Sequence, residues 1–224
     1  MLSLHSLGAA ATGASRYYTD LARDDYYTQG GEPPGEWLGQ GAAAWGLAGA
    51  VDAPALQNVL RGFDGAGARA LAQGAGDDHH AGWDLTFSAP KSVSVLWATT
   101  GDPTVRAAIR DAQRAAVAAT VAFAERHCAL ARRGHDGMDR ERVAGLAVAT
   151  FEHATSREQD PQLHTHCLVA NLAPRQDGTT GTLDGRHLYR WQMTLGALYR
   201  AELAAQLQHR LPVQIGRDGS SFAI

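Results

Sequence analysis

Between Asp102 and Leu130 apolar residues return every three or four positions. Val105, Ala108, Ile109 and Ala112 share one face, and Arg106, Arg110 and Arg114 fall on another. That spacing predicts one long amphipathic helix, opened by Asp102 as N-cap with proline in its first turn. A shorter helix is expected over "DAPALQNVL", capped by Asp52 and carrying Pro54 in its first turn. Two more are predicted over "SAPKSVSVLWAT", with Ser88 as cap, and through "LYRWQMTLGALYRAELAAQLQHRL". "GWDLTF" reads as a strand, and "VAGLAVATFEHA" and "QLHTHCLVANLA" as two β-rich segments joined by the polar run "TSREQDP". "VQIGRDGSSFAI" reads as a closing hairpin. "GGEPPGEWLGQG" is expected as loop because Pro33, Pro34 and the glycines interrupt regular structure; "GFDGAGARALAQGAGDDHH" reads as a mobile Gly-rich loop and "GHDGMDRER" as a turn. Strands in neighbouring blocks with helices between some of them argue for an α+β fold with a largely antiparallel sheet.

Composition narrows the class. At 224 residues and 45% hydrophobic content the chain has enough apolar surface for a core, and it has no run of eighteen apolar residues to span a membrane. "MLSLHSLGAAATGAS" has no basic stretch before its apolar residues, so no signal peptide is expected. With Cys128 and Cys167 as the only cysteines, a reducing, cytoplasmic setting is the default. The net charge of −3 argues against generic nucleic-acid binding but not against a local basic cleft.

Chemistry concentrates in "DPQLHTHCLVAN". Alternate residues of a strand share a face, so His164 and His166 point together while Leu163, Thr165 and Cys167 point the other way. Folding "TSREQDP" near Glu158 as an antiparallel turn sets His153 opposite or diagonal to His164, roughly 4.5–5.5 Å away. Three imidazoles on one face are hard to bury as neutral core residues, since each ring needs partners for two nitrogens. They suit a metal ion with coordination positions left open for chemistry. The remaining histidines, His79 and His80 among them, read as surface or packing residues.

"SRYYTDLARDDYY" holds two tyrosine pairs, Tyr17–Tyr18 and Tyr26–Tyr27. Such pairs usually pack in cores or interfaces. Beside a metal site, a phenol is also a competent nucleophile toward phosphorus, and two pairs would serve two successive strand transfers. Asp84, at the start of "DLTF", is a surface strand end, a partner for an imidazole N–H, or a base for a tyrosine. Lys91, the only lysine, is either solvated or a phosphate contact.

"HTH" within "DPQLHTHCLVAN", together with "FEHATSREQ", "DLTFSAPKSVS" and "RYYTDLARDDYY", resembles the relaxase domain of the MobF class, the TrwC/TraI-like conjugative relaxases of the HUH endonuclease superfamily. The resemblance implies a palm-like antiparallel sheet flanked by helices, with the histidines on central strands. It implies a single-strand DNA nickase and transesterase that cuts a plasmid origin of transfer through a 5′-phosphotyrosine and rejoins it. On this likeness His153, His164 and His166 hold one divalent ion, Mg²⁺ or Mn²⁺ in function and Zn²⁺ or Ni²⁺ as tighter binders in vitro. Tyr17 matches the nicking nucleophile, Tyr26 the second nucleophile, and Asp84 the acid beside the site. Tyr18 and Tyr27 are the other nucleophile candidates, and Lys91 and Arg157 are candidate DNA contacts. The implied partners are single-stranded origin DNA, accessory relaxosome proteins and the coupling protein of a type IV secretion system. The implied setting is the cytoplasm of a bacterial donor cell, with transfer to the recipient alongside the DNA and no membrane insertion. Residues 1–224 are expected to be a relaxase domain shortened at its C-terminus, and no helicase motif is present.

Competing readings are a rolling-circle replication initiator or transposase with the same histidine pair, a metal-dependent hydrolase, and an idle metal-stabilised DNA-binding module. The first is disfavoured because those proteins generally carry their tyrosine after the histidines.

Overall fold

The structure, a computed structural model, describes residues 1–11, 17–18, 33–156, 158 and 160–224. Its centre is a five-stranded antiparallel sheet of β1 (Leu2–Ser6), β2 (Glu36–Leu38), β3 (Gly82–Ser88), β6 (Val148–Thr155) and β7 (Pro161–Ala170), in the order β1-β3-β7-β6-β2. The two long histidine-bearing strands are therefore interior, as expected. Smaller ribbons pair β4 (Leu130–Arg133) with β5 (Asp139–Arg142), β8 (Ala173–Pro174) with β9 (Thr180–Gly181), and β10 (Gly216–Asp218) with β11 (Ser221–Ala223). Among the described residues the named α-helices are α1 (Gln40–Ala44), α2 (Ala53–Leu60), α3 (Lys91–Thr99), α4 (Pro103–His127) and α5 (Gly185–Arg210). The α+β class is observed.

Period-two alternation divides the sheet. On the back, Leu85, Phe87, Leu163, Cys167 and Val169 pack with Ile109, Ala112, Ala116 and Val117 of α4 and with Leu195, Tyr199 and Leu203 of α5. On the front, Ala149, Phe151 and Leu168 join Leu56 and Leu60 of α2 and Tyr18. Cys128 and Cys167 are buried free thiols, and burial pushes the Cys128 thiol up to about 12. Both behave as core residues.

Two predicted caps hold. Asp52 accepts from Ala55 N at 2.9 Å and Asp102 from Thr104 N at 2.8 Å, each satisfying an N–H that the helix start leaves open. Ser88 does not cap α3. It ends β3 opposite His164, and Pro90 is the N-cap, with no side-chain hydrogen bond. Strand pairing claimed Ser88 because β7 runs the full length of β3, a long-range fact no local cap signal contains. The stretch expected as loop, 30–41, contains β2 and the start of α1: Trp37 pairs with Ala149, and that pairing overrides the Pro/Gly signal around it. α4 stops at His127 instead of running to Leu130, which begins β4, and the second half of "GHDGMDRER" is strand β5. α5 starts at Gly185, three residues before the apolar pattern. A β-carbon there would lie 2.1 Å from Trp83 Cζ2, so glycine permits the helix start to approach the sheet.

Candidate metal centre and tyrosine site

β6 and β7 place the three histidines as their spacing predicts. His153 pairs directly with His164, and Phe151 pairs with His166. Between the pairs His153–His164 and Thr155–Pro161 the register slips, β7 carrying one more residue than β6. Such an irregularity re-aims side chains at a strand end. The ring centroids are 5.2 Å (His153–His164), 5.2 Å (His153–His166) and 5.1 Å (His164–His166) apart, and one nitrogen from each ring lies within 4.8 Å of the others. Among the described residues this is the only group of three or more potential ligands.

Hydrogen bonds select which nitrogen faces an ion. His164 Nδ1–H donates to Gln162 O at 2.8 Å, and His166 Nδ1–H donates to Asp84 Oδ2 at 2.7 Å. With Nδ1 engaged, Nε2 is the nitrogen each ring has for a metal, the arrangement by which a carboxylate or carbonyl orients a ligand imidazole. Burial, then the neighbouring rings, pushes the His153 imidazole down to about 3, and burial lowers His164 as well. Both are neutral near pH 7, as ligation requires. The donor set therefore fits a divalent ion.

In the metal-free protein the same burial makes the fold acid-sensitive. The folded-state value of His153 lies below its unfolded value of about 6.5, so its contribution is fully present above that pH and is lost as pH falls. At pH 5 the loss is about 2 kcal/mol, set by the unfolded value because folded His153 is still neutral there. Thermal melts of chelator-treated protein are expected to show a lower Tm at pH 5 than at pH 7.5, with much of the difference removed in His153→Gln. An equal drop in that variant would refute the assignment.

Asp84 lies on β3, which pairs with β7 so that Thr86 stands opposite His166. Its Oδ2 accepts from Tyr18 Oη–H at 2.6 Å, His166 Nδ1–H at 2.7 Å and Thr86 Oγ1–H at 3.1 Å. Burial alone would raise this carboxyl; hydrogen bonds from His166, Tyr18 and Thr86 outweigh it and hold the carboxyl below its ordinary value. A carboxylate so engaged is a poor proton acceptor for a phenol and a good orienting anion. Of the three roles open to Asp84 in the sequence, the geometry favours the imidazole partner. Asp84→Asn is expected to weaken metal binding about 10–100-fold with the fold retained, read by calorimetric titration with Mn²⁺. Unchanged affinity would remove Asp84 from the site.

The first tyrosine pair divides into two environments. Tyr18 is 7% exposed, its ring 5.4 Å from that of His166 and 6.3 Å from Phe151, and its oxygen is 3.1 Å from His166 Nδ1. Tyr17 is 49% exposed and meets Tyr18 edge-on at 5.0 Å. Tyr18 thus approaches His166 from the Nδ1 side, away from the nitrogen an ion would use. Tyr26, Tyr27 and Arg157 lie outside the described residues. Lys91, in the first turn of α3, donates from Nζ to Pro161 O at 3.1 Å, at the start of β7. Two participants were missed in the sequence. Thr86 was detectable, since it stands two residues after Asp84 and so on the same strand face. The Gln162 carbonyl, a backbone group, left no signal.

The TrwC relaxase family model matches residues 11–224. The multifunctional conjugation protein TraI of Escherichia coli K12 is 37% identical over 223 residues, covering 93% of this chain; the chain spans 12% of that relative's length. Among solved structures, the conjugative relaxase TrwC in complex with oriT DNA superposes with TM-score 0.83 in both its metal-free and metal-bound forms, at 36% and 38% identity, over 100% of this chain and 74% and 75% of theirs. A copper-bound form of that complex gives 0.82 at 39% identity, again over 100% of this chain and 75% of that one. A match over residues 11–224, joined to the histidine-bearing central strands, settles the family: this chain belongs to the TrwC relaxases.

Proposed function

We propose that residues 1–224 form a relaxase domain that nicks and rejoins one DNA strand at a plasmid origin of transfer. The observation that carries this reading is the meeting of three ligand imidazoles with an Asp84-anchored tyrosine pair on one sheet face. TrwC in complex with oriT DNA supports the substrate class. His153, His164 and His166 would hold the ion. When bound, it supplies a Lewis acid that offsets charge on a non-bridging oxygen of the scissile phosphate. Mg²⁺ or Mn²⁺ is the proposed physiological ion; imidazole prefers Zn²⁺ or Ni²⁺, so affinity alone does not identify it.

Tyr17 is the proposed nicking nucleophile because it is the accessible member of its pair. Its Oη bonds to phosphorus as the bond from phosphorus to the 3′-oxygen breaks. The phenol proton passes to solvent, and the departing oxygen takes one up to become a free 3′-hydroxyl. The protein remains on the 5′-phosphate as an ester, so attack by a 3′-hydroxyl reverses the step and reseals the strand. Tyr26 is the proposed second nucleophile, and Lys91 and Arg157 the proposed phosphate contacts. Asp84 holds His166 in its Nδ1–H tautomer throughout. A second reading makes Tyr18 the nucleophile, favoured by its closeness to His166. It would first have to give up its bond to Asp84.

Accessory proteins, a coupling protein and a cytoplasmic setting are proposed on family grounds. Among the described residues no helix is long and apolar enough to cross a membrane. The test is to mix the protein with single-stranded fragments tiling its own plasmid, with Mg²⁺ or Mn²⁺ and with chelator. A denaturing gel should show a metal-dependent protein–DNA adduct on one fragment. Its absence on every fragment, with ion demonstrably bound, would favour an idle DNA-binding module.

A further inference from the structure

Behind the histidines, one turn of α4 grips the central strands. Phe87, Thr165 and Glu152 form a single crosswise row on the back face, adjacent in register on β3, β7 and β6. Each is flanked in sequence by front-face residues of the site: Phe87 by Thr86 and Ser88, Thr165 by His164 and His166, and Glu152 by His153. Gln113, fully buried, donates from Nε2 to Phe87 O at 3.1 Å and to Thr165 Oγ1 at 3.1 Å. Its Oε1 accepts from Tyr199 Oη–H of α5 at 2.6 Å, and Tyr199 is itself fully buried. Three residues before Gln113, Arg110 pairs through Nε with Glu152 Oε1; one residue after it, Arg114 Nε lies 3.4 Å from Glu152 Oε2. Arg110, Gln113 and Arg114 share one face of one turn. All three ligand positions are thereby held from the opposite side of the sheet by the same helical turn.

An amide, a hydroxyl and a phenol placed among Ile109, Ala112, Ala116, Leu163, Cys167 and Leu195 are not what hydrophobic packing selects. Buried polar networks are demanding: fully satisfied they define one arrangement, partly satisfied they destabilise it. Apolar side chains of the same size would fill this space, but they would leave the strands free to adjust in register and twist, since dispersion contacts have little directionality. Ligand imidazoles on a sheet keep their mutual geometry only as well as the strands beneath them do.

We propose that Gln113, with Thr165 and Tyr199, is a positioning device for the metal centre: it holds β3 and β7 in the register and orientation that bring His164 and His166 to a shared ion. The proposal rests on the metal-site reading above. It assigns Gln113 no contact with ion or DNA.

The test is calorimetric Mn²⁺ and Ni²⁺ affinity, read beside the metal-free Tm. Thr165→Val preserves shape but removes the acceptor for Gln113; it is expected to weaken metal binding about tenfold. Thr165→Ser keeps the hydroxyl and should bind within about twofold of the parent protein. Gln113→Met, a near-isostere on the other element, should match Thr165→Val in affinity. In the triple change Gln113→Met, Thr165→Val and Tyr199→Phe no polar group of the amide–hydroxyl–phenol set is left, so its Tm is expected to equal or exceed that of Gln113→Met while metal affinity stays low. That divergence between stability and affinity is what a merely structural role would not produce. Parent-like affinity in both Thr165→Val and Gln113→Met, whatever their Tm, would overturn the proposal, as would equal losses in Thr165→Ser and Thr165→Val. Failure of the parent protein to bind either ion would instead overturn the metal reading on which this one rests.

Discussion

Tyr17→Phe is expected to abolish the covalent protein–DNA adduct, lowering its rate of formation by at least about 10³-fold, while single-strand binding stays near that of the parent. Such a loss corresponds to about 4 kcal/mol of transition-state stabilisation, the scale on which a nucleophile and not a packing aromatic is removed. The structure makes the comparison with Tyr18→Phe informative. Tyr17 is half exposed and meets Tyr18 ring to ring, whereas the buried hydrogen bond to the carboxylate comes from Tyr18. Tyr18→Phe deletes a donor to Asp84 in a buried setting and is expected to shift metal affinity and stability modestly while the adduct still forms. If Tyr18→Phe alone eliminates the adduct, the two roles are reversed and the pair must rearrange on binding DNA.

His164→Ala is the second large effect. Removing one of three nitrogens is expected to weaken binding of Mn²⁺ or Ni²⁺ by more than about 100-fold, beyond what loss of an orienting partner such as Asp84 produces. Calorimetric titration reads it directly. The fold should persist, because the His164 side chain is only partly buried and its ring hydrogen bond is to the Gln162 carbonyl two residues before it on its own strand. Adduct formation should fall in parallel, with DNA binding retained. Retained ion affinity in this variant would place the metal elsewhere and dissolve the link between the triad and catalysis.

The charge balance of the chain gains a local meaning here. A net charge of −3 is no guide to a DNA surface, since Arg110 and Arg114, which the helical pattern set on a polar face, are committed to buried Glu152 behind the sheet. Those two arginines pair within the scaffold, so their charge is no measure of a surface open to phosphate. Counting basic residues along the chain could not separate the two uses.

The sequence by itself determined the histidine triad and the two strands that carry it. Strand alternation has a period of two whatever the fold, so His164 and His166 had to share a face, and a short polar run before them put His153 in range. Helices with Asp–Pro starts were legible for the same reason: capping is a contact among residues two or three apart. Only the tertiary structure decided what surrounds the triad. Ser88 exchanged an expected cap for a place in β3, Asp84 met His166 across eighty-two positions, and Tyr18 took the carboxylate while Tyr17 kept the surface. The grip of Gln113 on Thr165 spans fifty-two positions. Each of these depends on β3 lying beside β7 and on α4 crossing behind both, a choice made by burial of the whole apolar face, which no window of neighbouring residues contains.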